Sequence, residues 1–140
     1  MGVQFFFIDA RIALRERRRL KKFIQHLFAS NMRSLNNLSI IFCTDEYLFK
    51  INRDFLQHEY YTDIVTFNLS EDPQVIEGEI YISLDRIKEN AMTNKVTINN
   101  ELHRIIFHGV LHLCGFKDKT KKDKALMTRM EDRTLNEYFG

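Results

Sequence analysis

The run from Ile98 to Asp118, INNELHRIIFHGVLHLCGFKD, constrains the fold more than any other segment of the chain. Leu102, Ile105, Ile106, Val110 and Leu113 recur at helical spacing, so a helix is predicted over Ile98 to Cys114 with these residues available for burial. His108 and His112 are four residues apart and therefore share one helical face, one turn from each other, where both reach a single metal ion. Gly115 stands where the helix would end and the chain turn back. Asp118 lies beyond that turn and can supply a carboxylate as a third ligand. Two nitrogens and one oxygen leave a fourth position open for water, the arrangement of a catalytic zinc site. The chain must therefore build a domain around one helix that delivers a metal site at its end.

The same run lacks a residue that zinc proteases need. In the HExxH pattern a Glu directly after the first His serves as general base. Here that position is Gly109, which has no side chain to accept a proton. The His–His–Gly spacing still follows the longer HExxHxxGxxH pattern, with Asp118 in place of the third His. Hydrolytic metal chemistry is expected, and ordinary peptide hydrolysis is disfavoured.

The rest of the chain supplies a sheet and further helices. Val3 to Ile8, Leu38 to Cys43, Asp63 to Asn68 and Glu77 to Ser83 read as strands. Arg15 to Phe28 reads as a helix with Leu20, Phe23, Ile24, Leu27 and Phe28 on its apolar face. Asp45 can cap a helix to about Leu56, with Leu48, Ile51 and Phe55 facing inward. Leu84 to about Thr93 is helical, and Thr120 with Asp123 can cap a last helix ending near Tyr138. The expected class is α+β: a four-stranded sheet with about five helices and the metal site at the end of a central one. With 140 residues, a single proline and no linker or repeat, one domain over 1–140 is expected.

Composition excludes little beyond this. A hydrophobic fraction of 44% and a charged fraction of 29% fit a soluble globular protein, and a net charge of +2 is too mild to name a partner. Its distribution is more informative. Arg11, Arg15, Arg17, Arg18, Arg19, Lys21 and Lys22 form one basic group, which reads as a solvated helix face. Lys117, Lys119, Lys121, Lys122 and Lys124 form another around the end of the metal motif, where positive charge suits a polyanionic substrate. Cys43 and Cys114 read as buried free thiols. The opening MGVQFFFIDARI has neither the basic leader of a signal peptide nor the length of a membrane span, and Phe6 breaks the myristoylation pattern, so a cytoplasmic location is expected.

The motifs resemble those of a known family. His108, Gly109, Leu111, His112, Leu113 and Gly115 match the HGxLHLxGYDH motif of the YbeY endoribonucleases, the rRNA maturation factors, with Phe116 in place of Tyr. The segment Asn52 to Phe67, NRDFLQHEYYTDIVTF, resembles the family stretch ending in TDVLSF, with Thr62, Asp63, Val65 and Phe67 in register. Gly78 to Ser83, GEIYIS, resembles its GDIxIS strand. Together these span about the second two-thirds of the chain. The resemblance implies a mixed sheet with the metal helix on one face. It also implies a zinc-dependent, single-strand-specific endoribonuclease acting in 16S rRNA 3′-end maturation and ribosome quality control, with the small ribosomal subunit as partner and no membrane. Carried onto this chain, His108, His112 and Asp118 are the metal and catalytic residues for one zinc ion. Lys117, Lys119 and Arg53 are the candidates for contact with RNA.

Two departures from the family pattern carry weight. Asp118 stands where its third ligand is usually His; aspartate is still a zinc ligand, and one that tolerates harder metals better. Leu56 stands where the family has an Arg that helps bind or cleave RNA, and leucine cannot contact phosphate. Two other classes stay open on spacing alone. One is a metalloprotease-like hydrolase using Glu101 or Glu79 as its base. The other is a ribosome-assembly factor whose zinc is structural.

Several neighbouring residues have plainer readings. His103 is expected to be a surface or packing histidine, and Asp123 a capping residue. Thr62 and Asp63 are expected to provide strand-start turn chemistry, with Asp63 bonding nearby backbone, in preference to the support for the cleft wall that the resemblance implies. Glu101 shares a face with His108 and could orient a ligand imidazole, but is expected to be solvated. His58 has no fixed role. Tyr60 and Tyr61 suit either base stacking or loop packing.

Overall fold

A computed structural model describes residues 2–140. Four strands, β1 (Gly2–Ile8), β2 (Ser34–Cys43), β3 (Ile64–Asn68) and β4 (Val75–Ser83), form one sheet in the order β1-β2-β4-β3. β1, β2 and β4 run parallel and the edge strand β3 is antiparallel to β4, so the sheet is mixed as expected. Five helices accompany it: α1 (Arg17–Ser30), α2 (Asp45–Leu56), α3 (Leu84–Asn94), α4 (Ile98–Leu113) and α5 (Lys121–Phe139).

The period-two alternation of the strands divides the core. Leu38, Ile40 and Phe42 of β2 and Ile80 and Ile82 of β4 face the layer built from α1, α3, α4 and α5, and belong to the main core. Cys43, Val65 and Tyr81 project to the other face, where Leu48 of α2 joins them in a smaller cluster. Leu102, Ile106, Phe107, Val110 and Leu111 of α4 are fully buried. Such a helix cannot lie at the periphery, and α4 is held between the sheet and α5.

Gly109 makes this packing possible. A Cβ there would stand 2.9 Å from Ile80 Cδ1 and 3.0 Å from Ile64 Cδ1. Position 109 thus faces the sheet, and a glutamate there would be driven into an apolar wall. Glycine at this place is a condition for seating α4 on β3 and β4.

Several boundaries differ from expectation for physical reasons. α1 begins at Arg17 because Glu16 sits in the left-handed region (φ 51°). β2 begins four residues earlier than the apolar run, because Ser34 to Asn37 pair with β4 across a register shift. The cap of α2 is Thr44, whose hydroxyl accepts from the Tyr47 amide at 3.1 Å, and Asp45 is the first helical residue. Phe55 does not face inward. It is 68% exposed and rests edge-on against Phe67, while Asn52 is buried and donates to the Tyr60 carbonyl at 3.0 Å. The inner face of α2 is therefore Leu48–Asn52, and the amide it buries pins the loop that leads into β3. For α5 the expected capping box between Thr120 and Asp123 is present.

Candidate metal centre and its cavity

The C-terminal end of α4 builds the site. Gly115, at φ 106°, takes the left-handed conformation that reverses the chain, and its amide bonds the His112 carbonyl while the Phe116 amide bonds that of Leu111. This turn carries the Phe116 carbonyl back to His112, whose Nδ1 lies 3.1 Å from it. A carbonyl only accepts, so Nδ1 carries the proton and Nε2 is the free lone pair.

His108 is held in the same sense by a different group. Its Nδ1 lies 2.6 Å from Glu131 Oε2 of α5. Arg104, one turn earlier on α4, donates to Glu131 Oε1 at 3.0 Å and to Asp132 at 2.5 Å. On the far side of the imidazole, Nε2 is 3.4 Å from Asp118 Oδ2. An unbroken line of charge therefore runs Asp132–Arg104–Glu131–His108–Asp118. Burial lowers the pKa of His108, but the hydrogen bond and charge of Glu131, with Asp118 and Asp63, outweigh it and leave the group raised.

The two imidazole rings are nearly parallel, 4° apart in plane, with centroids 6.4 Å apart. His112 is exposed and His108 is mostly covered. Among the described residues no three His, Cys, Asp or Glu side chains are gathered closely enough to grip an ion as they stand. The donor chemistry nevertheless fits a divalent transition metal. Both histidines are oriented through Nδ1 by an acceptor, which fixes the tautomer that ligates through Nε2, and an aspartate completes the set.

Around His108 lies a cavity of about 360 Å³ lined by Thr62, Asp63, Ile64, Glu101, Arg104, Ile105, Asp118 and Glu131. Asp63 belongs to its wall, against the expectation of turn chemistry alone. Its carboxyl is pushed up by burial, opposed by His108, and accepts from Asn90 at 3.4 Å. Glu101 also lines the cavity, but it is buried rather than solvated, and the group that orients His108 is Glu131. Sequence reading missed Glu131 and Arg104. The available signal was periodic: Met127, Glu131, Leu135 and Tyr138 form the buried face of α5, and a carboxylate inside such a stripe needs a partner.

The other candidates separate by location. Lys117 and Lys119 flank Asp118 and are exposed. Arg53 is paired with Asp54 at 2.9 Å on α2 and does not line the cavity. Leu56, at the end of α2, is partly exposed. His58 stacks on Tyr60, while Tyr61 packs on Phe49 beneath Arg86. His103 is a packing histidine, stacked on Tyr138. Glu79 sits on the α2 face of the sheet beside Phe55, Phe67 and Tyr81. In the first basic group, Arg17 lies over Phe7, Arg19 over Tyr138 and Lys21 over Phe5, and all its members but Lys21 are exposed, as on a solvated helix face. Both cysteines are buried free thiols, with Cys43 pushed up to about 12 and Cys114 to about 11 by burial. Among the described residues no helix is long and apolar enough to cross a membrane.

Residues 8–139 match the family model described as Endoribonuclease YbeY. An Endoribonuclease YbeY of Cytophaga hutchinsonii is 47% identical over 132 residues, covering 94% of this chain and 92% of that protein. One of Porphyromonas gingivalis is 44% identical over 119 residues, covering 85% and 78%. The solution structure of a Thermotoga maritima protein superposes with a TM-score of 0.67 over 99% of this chain and 89% of that one. At 22% identity, that likeness speaks to the fold.

Proposed function

The chain belongs to the YbeY endoribonuclease family, and from that premise we propose that it is a zinc-dependent endoribonuclease of single-stranded RNA. In this reading it acts in the cytoplasm on the 3′ end of 16S rRNA within the small ribosomal subunit, and His108, His112 and Asp118 hold one ion. The observation that carries the site assignment is that both imidazoles are oriented through Nδ1, by Glu131 and by the Phe116 carbonyl.

A bound divalent ion supplies a Lewis acid that polarises a phosphoryl oxygen and acidifies a water. The chain's own groups do the rest. Glu131 and the Phe116 carbonyl hold the histidines in their ligating tautomers. Arg104 balances the charge of Glu131 beside His108. Lys117 and Lys119 offer exposed ammonium groups on either side of Asp118, so RNA affinity should fall steeply with salt. Arg53 would meet the strand outside the cavity. The protease alternative loses ground because Gly109 faces Ile64 and Ile80 and Glu79 lies across the sheet.

The test is cleavage of a labelled single-stranded RNA by metal-loaded protein beside His112→Ala purified identically. Cleavage by the wild type alone, lost with chelator and restored by metal, supports the reading. Equal cleavage by both proteins, or by neither, removes it. A folded chain after metal removal, judged by circular dichroism, separates catalytic from structural zinc.

A further inference from the structure

Glu101 is the residue of the cavity that the metal chemistry leaves unused. It sits two turns before His108 on the same face of α4 and is only 5% exposed; Asn94 approaches its carboxyl, but its Oε1 is buried with no hydrogen-bond partner among the described residues. Leaving a buried acceptor unpaired is costly, and folded proteins keep few such groups. The residue lies on the wall of the cavity beside the proposed metal position, so the group that completes its carboxylate is to be sought in the substrate.

The chemistry of that group is restricted. A phosphate offers acceptors alone; Asp63, Glu101 and Glu131 on the same wall repel it, and Arg104 there is already paired with Glu131 and Asp132. The phosphate must stay at the proposed metal position and by the exposed Lys117 and Lys119. What enters the cavity is then the neighbouring sugar and base, for which Ile64 and Ile105 supply apolar contact. A volume of about 360 Å³ is at the small end of ligand pockets, of a size for one nucleoside. Hydrogen-bond donors on a nucleoside are the ribose 2′-hydroxyl and the amino and imino groups of the base edge.

We propose that Glu101 is a specificity-determining residue that contacts substrate: its buried carboxylate accepts a hydrogen bond from a donor on one nucleotide, the 2′-hydroxyl or a base amino group. This rests on the ribonuclease reading.

The test is binding, read by fluorescence anisotropy with chelator present so that nothing is cleaved. Wild type, Glu101→Gln and Glu101→Leu are each titrated with a short single-stranded RNA, its 2′-deoxy counterpart, and RNA carrying inosine and purine riboside in place of guanosine and adenosine. Wild type is expected to bind the intact RNA roughly ten- to a hundredfold more tightly than the strand lacking the recognised donor. Glu101→Leu should lose that preference, and Glu101→Gln, which keeps a neutral acceptor, should retain part of it. Loss confined to the deoxy strand assigns the 2′-hydroxyl, and loss confined to the base analogues assigns the amino group. The same preference in all three proteins, or equal weakening towards every strand, overturns the proposal. Glu101-dependent preference without metal-dependent cleavage would sustain it and sink the ribonuclease reading. Cleavage without that preference would do the reverse.

Discussion

Helix α4 carries His103 and His108 on two sides, and the molecule treats them in opposite ways. His103 is 2% exposed and stacks on Tyr138, with Phe107 and Phe139 beside it and Nδ1 2.7 Å from the Asn99 carbonyl. Burial lowers its pKa, only partly opposed by that backbone bond, and keeps it neutral. His108 is also mostly buried, but Glu131, Asp118 and Asp63 surround it and its pKa is raised. Both environments come from α5, which brings Tyr138 and Phe139 to one histidine and Glu131 to the other. The residue type and the helix are the same in both cases. What differs is whether the neighbour brings an aromatic face or a carboxylate, and that makes one region stabilising and the other chemical.

If that division is right, substitutions on the two sides should separate stability from function. The largest effect is expected where they meet the sheet. Gly109→Glu should destabilise the protein by more than about 3 kcal/mol in denaturant melts, because it forces a charge against Ile64 and Ile80. A folded, peptide-cleaving Gly109→Glu variant would show that the glycine is not a packing requirement. Next, Glu131→Gln should lower metal affinity about 10- to 100-fold in calorimetric titration while the core remains folded. An unchanged affinity would remove Glu131 from the site.

On the other side, His103→Ala should cost about 2 kcal/mol of stability and leave cleavage per folded molecule unaltered. His103→Phe sharpens the contrast through pH. Because the folded pKa of His103 lies below its ordinary 6.5, the unfolded chain takes up a proton that the folded chain resists. Its contribution is complete above pH 6.5 and is lost as pH falls below it. In the metal-free chain His108 has the opposite sign: its raised pKa favours the fold below pH 6.5, a contribution lost as pH rises through the folded value. Melts from pH 7 to 5 should therefore fall less for His103→Phe than for wild type, and parallel curves would refute the assignment. The smallest effect is at Glu101. Its pKa is raised, chiefly by burial, so the ionised carboxylate opposes folding at neutral pH. Glu101→Gln should be about 1 kcal/mol more stable at pH 7, the gap closing on acidification.

The contrast also shows what could be read in the sequence. The helix of His108 and His112, the turn at Gly115 and the capping box at Thr120 are local patterns set by residues a few positions apart, and the structure has them. Glu131 reaches His108 from 23 residues away, through a helix–helix contact that no local spacing encodes. Glu101 reads as a solvated residue and Asp63, at the end of the loop before β3, as turn chemistry, yet both line the cavity. That loop is pinned by Asn52, while the apolar stripe of α2 pointed to Ile51 and Phe55 instead. Misreadings therefore gather at the cavity, where polar groups are buried for chemistry and composition no longer tells inside from outside.

Anomalous X-ray diffraction from crystals grown with zinc tests the centre of this account most directly. It predicts one ion per chain, bound by Nε2 of His108, Nε2 of His112 and the Asp118 carboxylate, with one position open to water. An ion held elsewhere, or closed off by a fourth protein ligand, would contradict it.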